Sequence, residues 1–253
     1  MNWIGFSTLI KREVGRFFSV YRQTVLPGLI STGLYIVIFG FTLEQRISEI
    51  QGIPYTLFIL PGLIMMNTLT NATANTSSSM LQMKLLQQLP DLLTAPLSGL
   101  EIALAYIIGG TVRGVVNGIL VLILGVLITD LKVIDPLGTI AFIFLVSWAF
   151  ASMGLILGQL TESWDQLAMM QNFFLTPLSF LGGIFYSVNM LPEWAQSLSL
   201  INPIYYMING IRYTILGVSD SSVSISFWMA LILTGIFTAI AISLMQSGKR
   251  LKQ

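Results

Sequence analysis

The side chains that usually carry out catalysis or bind metal ions are scarce in this sequence. Its 253 residues include no histidine and no cysteine, which removes the commonest general base, a common metal ligand, thiolate nucleophiles and disulfides. We find no carboxylates paired at a plausible site. No G-x-x-x-x-G-K-[ST] motif is present, since Gly248–Lys249 is followed by Arg250 and has no predicted strand before it. We therefore predict neither an enzyme, nor a metal site, nor a P-loop ATP site in this chain.

Three polar side chains lie inside an apolar segment at regular spacing. Asn67, Asn71 and Asn75 recur at four-residue steps and so share one face of a helix. Three amides that faced lipid would be costly, so this face must point inward. Two roles remain open: hydrogen bonds to neighbouring helices, worth roughly 0.6 kcal/mol each, or the lining of a polar passage.

One arginine stands near the middle of another apolar segment. Arg113 is followed one helical turn later by Asn117, and an arginine at this depth costs at least about 2.5 to 3.5 kcal/mol to insert. It must face protein or water. It could form a buried ion pair, for which Glu101, Glu162 and Asp165 are the nearest acids by topology, or it could contact a substrate.

The composition indicates the environment that must position these groups. The chain is 55% hydrophobic and 9% charged, with a mean hydropathy of +0.82, whereas a soluble domain has about 25% charged residues. This predicts a polytopic membrane protein. The net charge of +1 argues against nucleic acid as a partner, and we see no removable signal peptide at the N-terminus.

Apolar runs predict six transmembrane helices in an all-α fold. Residues 1–22 precede them and predict an amphipathic helix that lies in the membrane interface. Its apolar face would hold Trp3, Phe6, Ile10, Val14, Phe17 and Tyr21, with Thr8, Arg12 and Arg16 opposite. The six spans are expected at residues 25–43, 54–80, 100–128, 137–160, 167–184 and 225–245. In the third span, a ridge of Gly110, Gly114 and Gly118 would allow neighbouring helices to approach closely.

Basic residues predict the orientation of the chain. Of its twelve Lys and Arg residues, three would be outside (Arg46, Lys132 and Arg212) and Arg113 would be in the membrane. The other eight would be cytoplasmic, which satisfies the positive-inside rule with both termini in the cytoplasm. These eight are Lys11, Arg12, Arg16, Arg22, Lys84, Lys249, Arg250 and Lys252.

Residues 187–217 predict a broken hairpin on the outer side, between spans five and six. The apolar pieces 194–201 and 204–216 are each too short to cross a bilayer, and Asn202–Pro203 favours a turn between them. We expect two short helices that dip back into the membrane from the outer face, with Arg212 near that face. The alternative is a surface loop that only connects two spans.

The order and spacing of several residues in this region resemble the C-terminal signature of ABC-2 type transporter permeases. These residues are Pro177, Gly182, Gly183, Phe185, Tyr186, Pro192, Trp194, Asn202, Pro203 and Arg212. The similarity extends over essentially the whole chain, so the resemblance implies one transmembrane domain over residues 1–253. It also implies an exporter subunit of the cell inner (plasma) membrane, which works as a pair surrounded by lipid.

The resemblance further implies a separately encoded ABC ATPase, which would hold ATP and Mg, with no cofactor in this chain. It assigns residues 82–98 as a cytoplasmic coupling helix that docks on the ATPase, through Leu86, Gln88, Leu89, Pro90, Asp91, Leu92, Leu93 and Pro96. It places the substrate path between the two copies, along spans one, two and five. Residues near the path would be Asn67, Asn71, Asn75, Gln171 and Asn172.

Two other classes of function were weighed. An ion-coupled transporter or channel that needs no ATPase usually carries acids within the membrane, whereas the clear mid-span charge here is Arg113. An integral membrane enzyme fits least, for lack of catalytic groups. The sequence does not choose among glycans, lipids, drugs and other exported substrates.

Overall fold

The computed structural model describes residues 2–44 and 46–248, which form a bundle of helices. The α-helices, in chain order, are α1 (Trp3–Ser19), α2 (Tyr21–Thr24), α3 (Leu26–Tyr35), α4 (Tyr55–Leu85), α5 (Leu89–Thr94), α6 (Gly99–Ile128), α7 (Pro136–Leu160), α8 (Trp164–Met170), α9 (Thr176–Leu181), α10 (Glu193–Ile201), α11 (Pro203–Leu216) and α12 (Val223–Ser247). Two π-helical segments, Ile36–Phe41 and Gln171–Leu175, continue α3 and α8, and Val188–Met190 forms a 3-10 turn. Strands β1 (Glu49–Ile50) and β2 (Ile53–Pro54) pair in a small antiparallel hairpin. The predicted C-terminal basic residues Lys249, Arg250 and Lys252 lie outside the described residues.

Within the described ranges, five helical segments are long and apolar enough to cross a membrane. They are Tyr21–Gly40, which we call the first span, together with α4, α6, α7 and α12. They match five of the six predicted spans. The remaining prediction, residues 167–184, falls on α8, the π-helical segment Gln171–Leu175 and α9, which ends at Leu181. This run is shorter and is interrupted by polar residues and Pro177, so it is not among the five.

Helix α4 lies at the centre of the bundle, packed against α6, α7 and α11. The predicted glycine ridge explains how α6 comes so close. A Cβ atom on Gly110 would meet the Thr76 side chain of α4 at 2.5 Å, and one on Gly114 would meet Ser147 of α7 at 2.7 Å. Thr76 Oγ1 also donates to the Ala151 carbonyl of α7 at 2.8 Å. Small residues and short hydroxyl side chains therefore hold these three helices together.

The predicted N-terminal helix is present as α1, but it is rotated relative to the expected face. Phe6, Leu9, Glu13 and Phe17 are its buried residues, whereas Trp3 is 67% exposed. Arg16, which we placed opposite the apolar face, turns toward the bundle. The rotation follows from Gly109 on α6, which lets Glu13 approach so closely that a Cβ on the glycine would lie 2.6 Å from the Glu13 Cβ.

Helix α4 also continues past its predicted end near Met80 and finishes at Leu85. The reason is Lys84, whose buried ammonium donates to the carbonyls of Gln159 at 3.0 Å and Thr161 at 2.7 Å, at the end of α7. The helix then stops because Gln87 adopts a positive φ of 55°. Residues 82–85 therefore belong to α4, and the separate short helix is α5.

The break predicted at Asn202–Pro203 is confirmed. Asn202 ends α10 and caps α11, because its side-chain oxygen accepts a hydrogen bond from the Ile204 amide at 3.0 Å. Helix α11 packs against α12, α7 and α4. Arg212 on α11, which we expected near the outer face, is 1% exposed.

Candidate functional site

A cavity of about 300 Å³ lies between the first span and α4. Most of its polar lining is uncharged, and Arg113 of α6 supplies the charge. From α4 the polar residues are Asn67, Thr70 and Asn71. From the first span they are Gln23, Thr24, Ser31, Thr32 and Tyr35. Gln23, Ser31 and Thr70 are exposed, so the cavity opens to the surface of the chain. The volume is at the lower end of the range usual for small-ligand sites.

Two of the three asparagines line this cavity. Asn71 Nδ2 donates to Asn67 Oδ1 at 2.9 Å, so each amide fixes the orientation of the other. Asn67 in turn lies against Gly28 of the first span, where a Cβ would meet its Nδ2 at 2.7 Å. Gly28 therefore allows the first span to approach the polar face of α4.

The third asparagine has a different role. Asn75 is 1% exposed, and Arg16 Nη2 donates to its carbonyl oxygen at 2.7 Å and to its Oδ1 at 3.3 Å. The face predicted from the four-residue spacing thus divides between the two roles that the sequence left open. Asn67 and Asn71 line a polar space, and Asn75 joins α4 to α1.

Arg113 is held by an amide rather than by a carboxylate. Its Nε and Nη2 both donate to Asn71 Oδ1, at 3.2 and 3.0 Å. In the part of the chain that the structure describes, no acid forms an ion pair with it. Glu101, one of the suggested partners, instead accepts hydrogen bonds from the backbone of Ser98 and Asn2. The ion-pair hypothesis for Arg113 is therefore wrong.

The two polar residues predicted on span five lie beside a second, smaller recess. Gln171 and Asn172 line a space of about 80 Å³ between α4 and the π-helical segment Gln171–Leu175. Gln171 Nε2 donates to Ser77 Oγ of α4 at 3.1 Å, while Asn172 is exposed. Because Met66 and Thr70 line both spaces, the recess adjoins the larger cavity along α4.

The predicted coupling residues lie on α5 and on the chain just before and after it. They divide into buried, half-buried and exposed residues. Leu89 is 2% exposed and belongs to the hydrophobic core, so it anchors the segment. Leu92 and Leu93 are half-buried against the same core. The other five predicted residues are exposed and form a surface between α4 and α6. These residues are Leu86, Gln88, Pro90, Asp91 and Pro96.

One of the predicted outer-hairpin residues, Gly183, contacts Arg212 directly. Arg212 Nη2 donates to the Gly183 carbonyl at 2.6 Å, its Nη1 lies 3.7 Å from Asp220 Oδ2, and its guanidinium carbon lies 4.1 Å above the Phe58 ring of α4. Asp220 also accepts hydrogen bonds from Ser187 Oγ at 2.6 Å and from the Val188 amide at 3.1 Å. This outer cluster joins α4, the chain after α9, α11 and the loop before α12.

Other signature residues lie at turns and helix ends between α9 and α10. Gly183 adopts a positive φ of 81°, which turns its carbonyl toward Arg212. Tyr186 donates its hydroxyl to the Phe180 carbonyl at 2.9 Å, Gly182 ends α9, and Pro192 precedes α10. Of the signature residues, Gly183 contacts Arg212, and Gly182, Pro192, Asn202 and Pro203 lie at the ends of α9, α10 and α11.

Two acids that sequence reasoning passed over prove important. Glu13 is fully buried, accepts from Ser79 Oγ at 2.7 Å and lies 3.8 Å from Arg16 Nε. Its position three residues before Arg16, on one helical face, was the available signal. Asp220 lies in a short loop without periodicity, so the sequence offered no comparable signal for its pairing with Arg212.

Comparison with known proteins agrees with this architecture. The sequence profile of the ABC-2 type transporter family matches residues 5–216. The inner membrane transport permease YadH of Escherichia coli (strain K12) is 36% identical over 252 residues, which cover 100% of this chain and 98% of the relative. Nodulation protein J of Sinorhizobium fredii is 24% identical over 83% of this chain and 80% of its own length. The resemblance drawn from the signature residues is confirmed: the chain belongs to the ABC-2 type transporter family and is a multi-pass permease of the inner membrane.

Proposed function

We propose that the chain is the membrane subunit of an ATP-driven exporter, two copies of which form the substrate path. Each copy would bind a separately encoded ATPase that holds ATP and Mg, and both termini would be cytoplasmic. The observation that carries the proposal is the position of α5. It is an exposed short helix that directly connects α4 and α6, the helices that hold Asn71 and Arg113.

A force applied at α5 would reach the cavity through rigid elements. Helix α4 is unbroken from Asn67 and Asn71 to Leu85, and Asn71 and Leu85 lie about 21 Å apart along the helix axis at the usual rise per residue. Leu89 holds α5 to the core, so a push on Pro90 or Asp91 would move the helix ends as well. This is how the resemblance implies that ATP binding is coupled to transport.

The N-terminal helix is tied to the same segment. The Asn2 amide donates to Glu101 Oε1 at 2.7 Å, and Asn2 Nδ2 donates to the Pro96 carbonyl at 3.4 Å. A capping box between Ser98 and Glu101 fixes the start of α6 at this point. Movement of α5 would therefore also displace α1, whose exposed Trp3 and Ile4 suit contact with the membrane interface.

In the proposed six-span subunit, the span that was predicted fifth in chain order is the run from α8 to α9. Its 18 residues would extend about 27 Å, close to the thickness of the bilayer core. Its exposed Phe173 and Phe174, and the exposed Ile30 and Leu34 of the first span, leave these two segments uncovered. A second copy and lipid would cover them, in line with the path that the family resemblance implies.

An ATP-independent, ion-coupled transporter is the alternative, and the cavity does not favour it. Such proteins usually bind protons or sodium ions at carboxylates within the membrane. Among the described residues that line the cavity none is acidic.

The proposal is tested by reversing one exposed charge on the coupling segment. The chain is co-expressed with the ABC ATPase that is proposed as its partner, and the two are purified in mild detergent through a tag on the permease. We expect Asp91→Arg to reduce the recovered ATPase at least tenfold, because a charge-reversed contact cannot dock. The matched control is Asp130→Arg, since Asp130 is an exposed acid just beyond the opposite end of α6.

Equal recovery of the ATPase with the wild type and both variants would reject the docking role of α5. If the ATPase is recovered with neither the wild type nor the variants, although all three elute as folded protein, the proposed exporter function is rejected.

A further inference from the structure

The charge of Arg113 is not neutralised by the protein around it. Nε and Nη2 share one neutral amide oxygen, that of Asn71, and Nη1 has no hydrogen-bonding partner in residues 2–44 and 46–248. The side chain is half-buried and lines the cavity. A guanidinium within the membrane normally pairs with an acid or with backbone carbonyls, so this one still has capacity to bind an anion.

Among the described residues, no neighbouring ion pair supplies a counter-charge for Arg113. Arg16 and Arg12 lie toward the end of α1, where buried Glu13 is 3.8 Å from Arg16 Nε and 4.0 Å from Arg12 Nη1. One carboxylate thus compensates part of the charge of two arginines and none of the charge of Arg113. The potential in the cavity is positive, and low dielectric surroundings strengthen it.

The rest of the lining suits a headgroup that carries oxygen atoms. Ser31 and Tyr35 from the first span place hydroxyl groups in the cavity, and each can donate a hydrogen bond to a phosphate oxygen. The Thr70 hydroxyl of α4 also lines the cavity, but it donates to the Met66 carbonyl at 2.7 Å. Pro27, Leu63 and Met66 supply an apolar part of the wall. Such a wall tolerates the first carbon atoms of a lipid chain.

The mouth of the cavity indicates how a ligand would enter. Gln23 and Ser31 are exposed, and so are the large apolar side chains of the first span beside them, Leu26 and Ile30. A headgroup bound at Arg113 could therefore leave its acyl chains against this apolar surface, in the bilayer. A free hydrophilic anion would gain nothing from that surface.

We propose that this cavity binds the phosphate-bearing headgroup of an anionic amphiphile, with Arg113 as the direct counter-ion and Asn71 as the residue that orients it. As a substrate assignment this rests on the proposed export function, since it names the class of molecule that would be carried. The binding itself needs no ATPase, so the two ideas can fail separately.

The test measures lipid binding to the purified full-length chain in a neutral detergent, without ATPase. Native mass spectrometry gives the bound fraction for phosphatidic acid, for phosphatidylcholine and for inorganic phosphate at matched concentrations. We expect preferential binding of phosphatidic acid to the wild type, and about tenfold weaker binding to Arg113→Gln, because charge-assisted hydrogen bonds are lost. Arg22→Gln, a change at an exposed arginine that does not line the cavity, should bind as the wild type does.

A second variant keeps Arg113 and blocks access to it. Ser31→Trp fills the mouth of the cavity and should weaken phosphatidic acid binding to a similar degree, while Arg113 and Asn71 remain in place. Loss of binding in both variants, with Arg22→Gln unaffected, supports the proposal even if one of them folds in lower yield.

Three results would overturn the proposal. Unchanged binding of phosphatidic acid to Arg113→Gln would show that the arginine is not the counter-ion. Equal binding of phosphatidylcholine would remove the preference for an anionic headgroup. Inorganic phosphate that competes as well as phosphatidic acid would identify the ligand as a free anion rather than an amphiphile. If lipid binding is as proposed but no ATPase associates with the chain, the exporter is rejected and the site remains.

Discussion

Two arginines of this permease, Arg212 on α11 and Arg113 on α6, have very different surroundings. Arg212 is 1% exposed and is compensated by Asp220, by the Gly183 carbonyl and by the Phe58 ring. Arg113 is half-buried, borders a cavity and is held by a single amide oxygen. A charge whose partners are all supplied by the protein holds the structure together. A charge left without a carboxylate beside an open space is available for a ligand.

The surroundings of the two sites follow the same division. The outer cluster around Arg212 gathers turns and helix ends, with Gly183 at a positive φ and Asn209 fixing the loop before α12 through Ser221 and Ser226. The cavity around Arg113 lies between long helices and is lined by hydroxyl and amide groups. The contacts around Arg212 therefore fix the fold, whereas the cavity beside Arg113 leaves space and hydrogen-bonding groups for a ligand.

The largest effect on stability is expected at Arg212. In Arg212→Met the carboxylate of Asp220 is left buried without its counter-charge, and breaking a buried pair in this way costs about 3 to 5 kcal/mol. The measurement is the free energy of unfolding in mixed detergent micelles, followed by tryptophan fluorescence. The double variant Arg212→Met, Asp220→Asn should recover part of the loss, because it removes the isolated charge.

An Arg212→Met variant with the same free energy of unfolding as the wild type would contradict this contrast between the two arginines. The outer cluster would then be incidental to the fold, and the contrast between the two arginines would have no energetic basis.

A much smaller change in stability is expected at the other arginine. Arg113→Gln removes two interhelical hydrogen bonds to Asn71 Oδ1, worth roughly 0.6 kcal/mol each, and also relieves the desolvation of an uncompensated charge. We therefore expect its free energy of unfolding, in the same micelles, to lie within about 1 kcal/mol of the wild type. A loss as large as that of Arg212→Met would mean that Arg113 is structural, which would remove the basis for a ligand site there.

Features that depend on local spacing could be predicted from the sequence. The four-residue repeat placed Asn67 and Asn71 on one face, and Asn202–Pro203 marked the break in the outer hairpin. Five of the spans followed from length and hydropathy alone. These features need only the geometry of one helix or one turn.

Features that depend on which helices meet could not be predicted. Asn71 precedes Arg113 by 42 residues, and Asp220 follows Arg212 in a loop, so neither pairing has a periodic signal. The rotation of α1 depends on Gly109 of a different helix. The same limit explains why the burial of Arg212 was not predicted, since it depends on Phe58, Gly183 and Asp220 together.

The central claim is that this permease is driven by an ATPase which it does not contain. The most direct measurement is the rate of ATP hydrolysis by the proposed partner ATPase in lipid vesicles, with and without this chain. We predict that the rate rises several-fold when the wild-type permease is present and remains at the level of the ATPase alone with Asp91→Arg. A rate that is the same with and without the permease, together with transport by the permease alone under an ion gradient, would contradict the account.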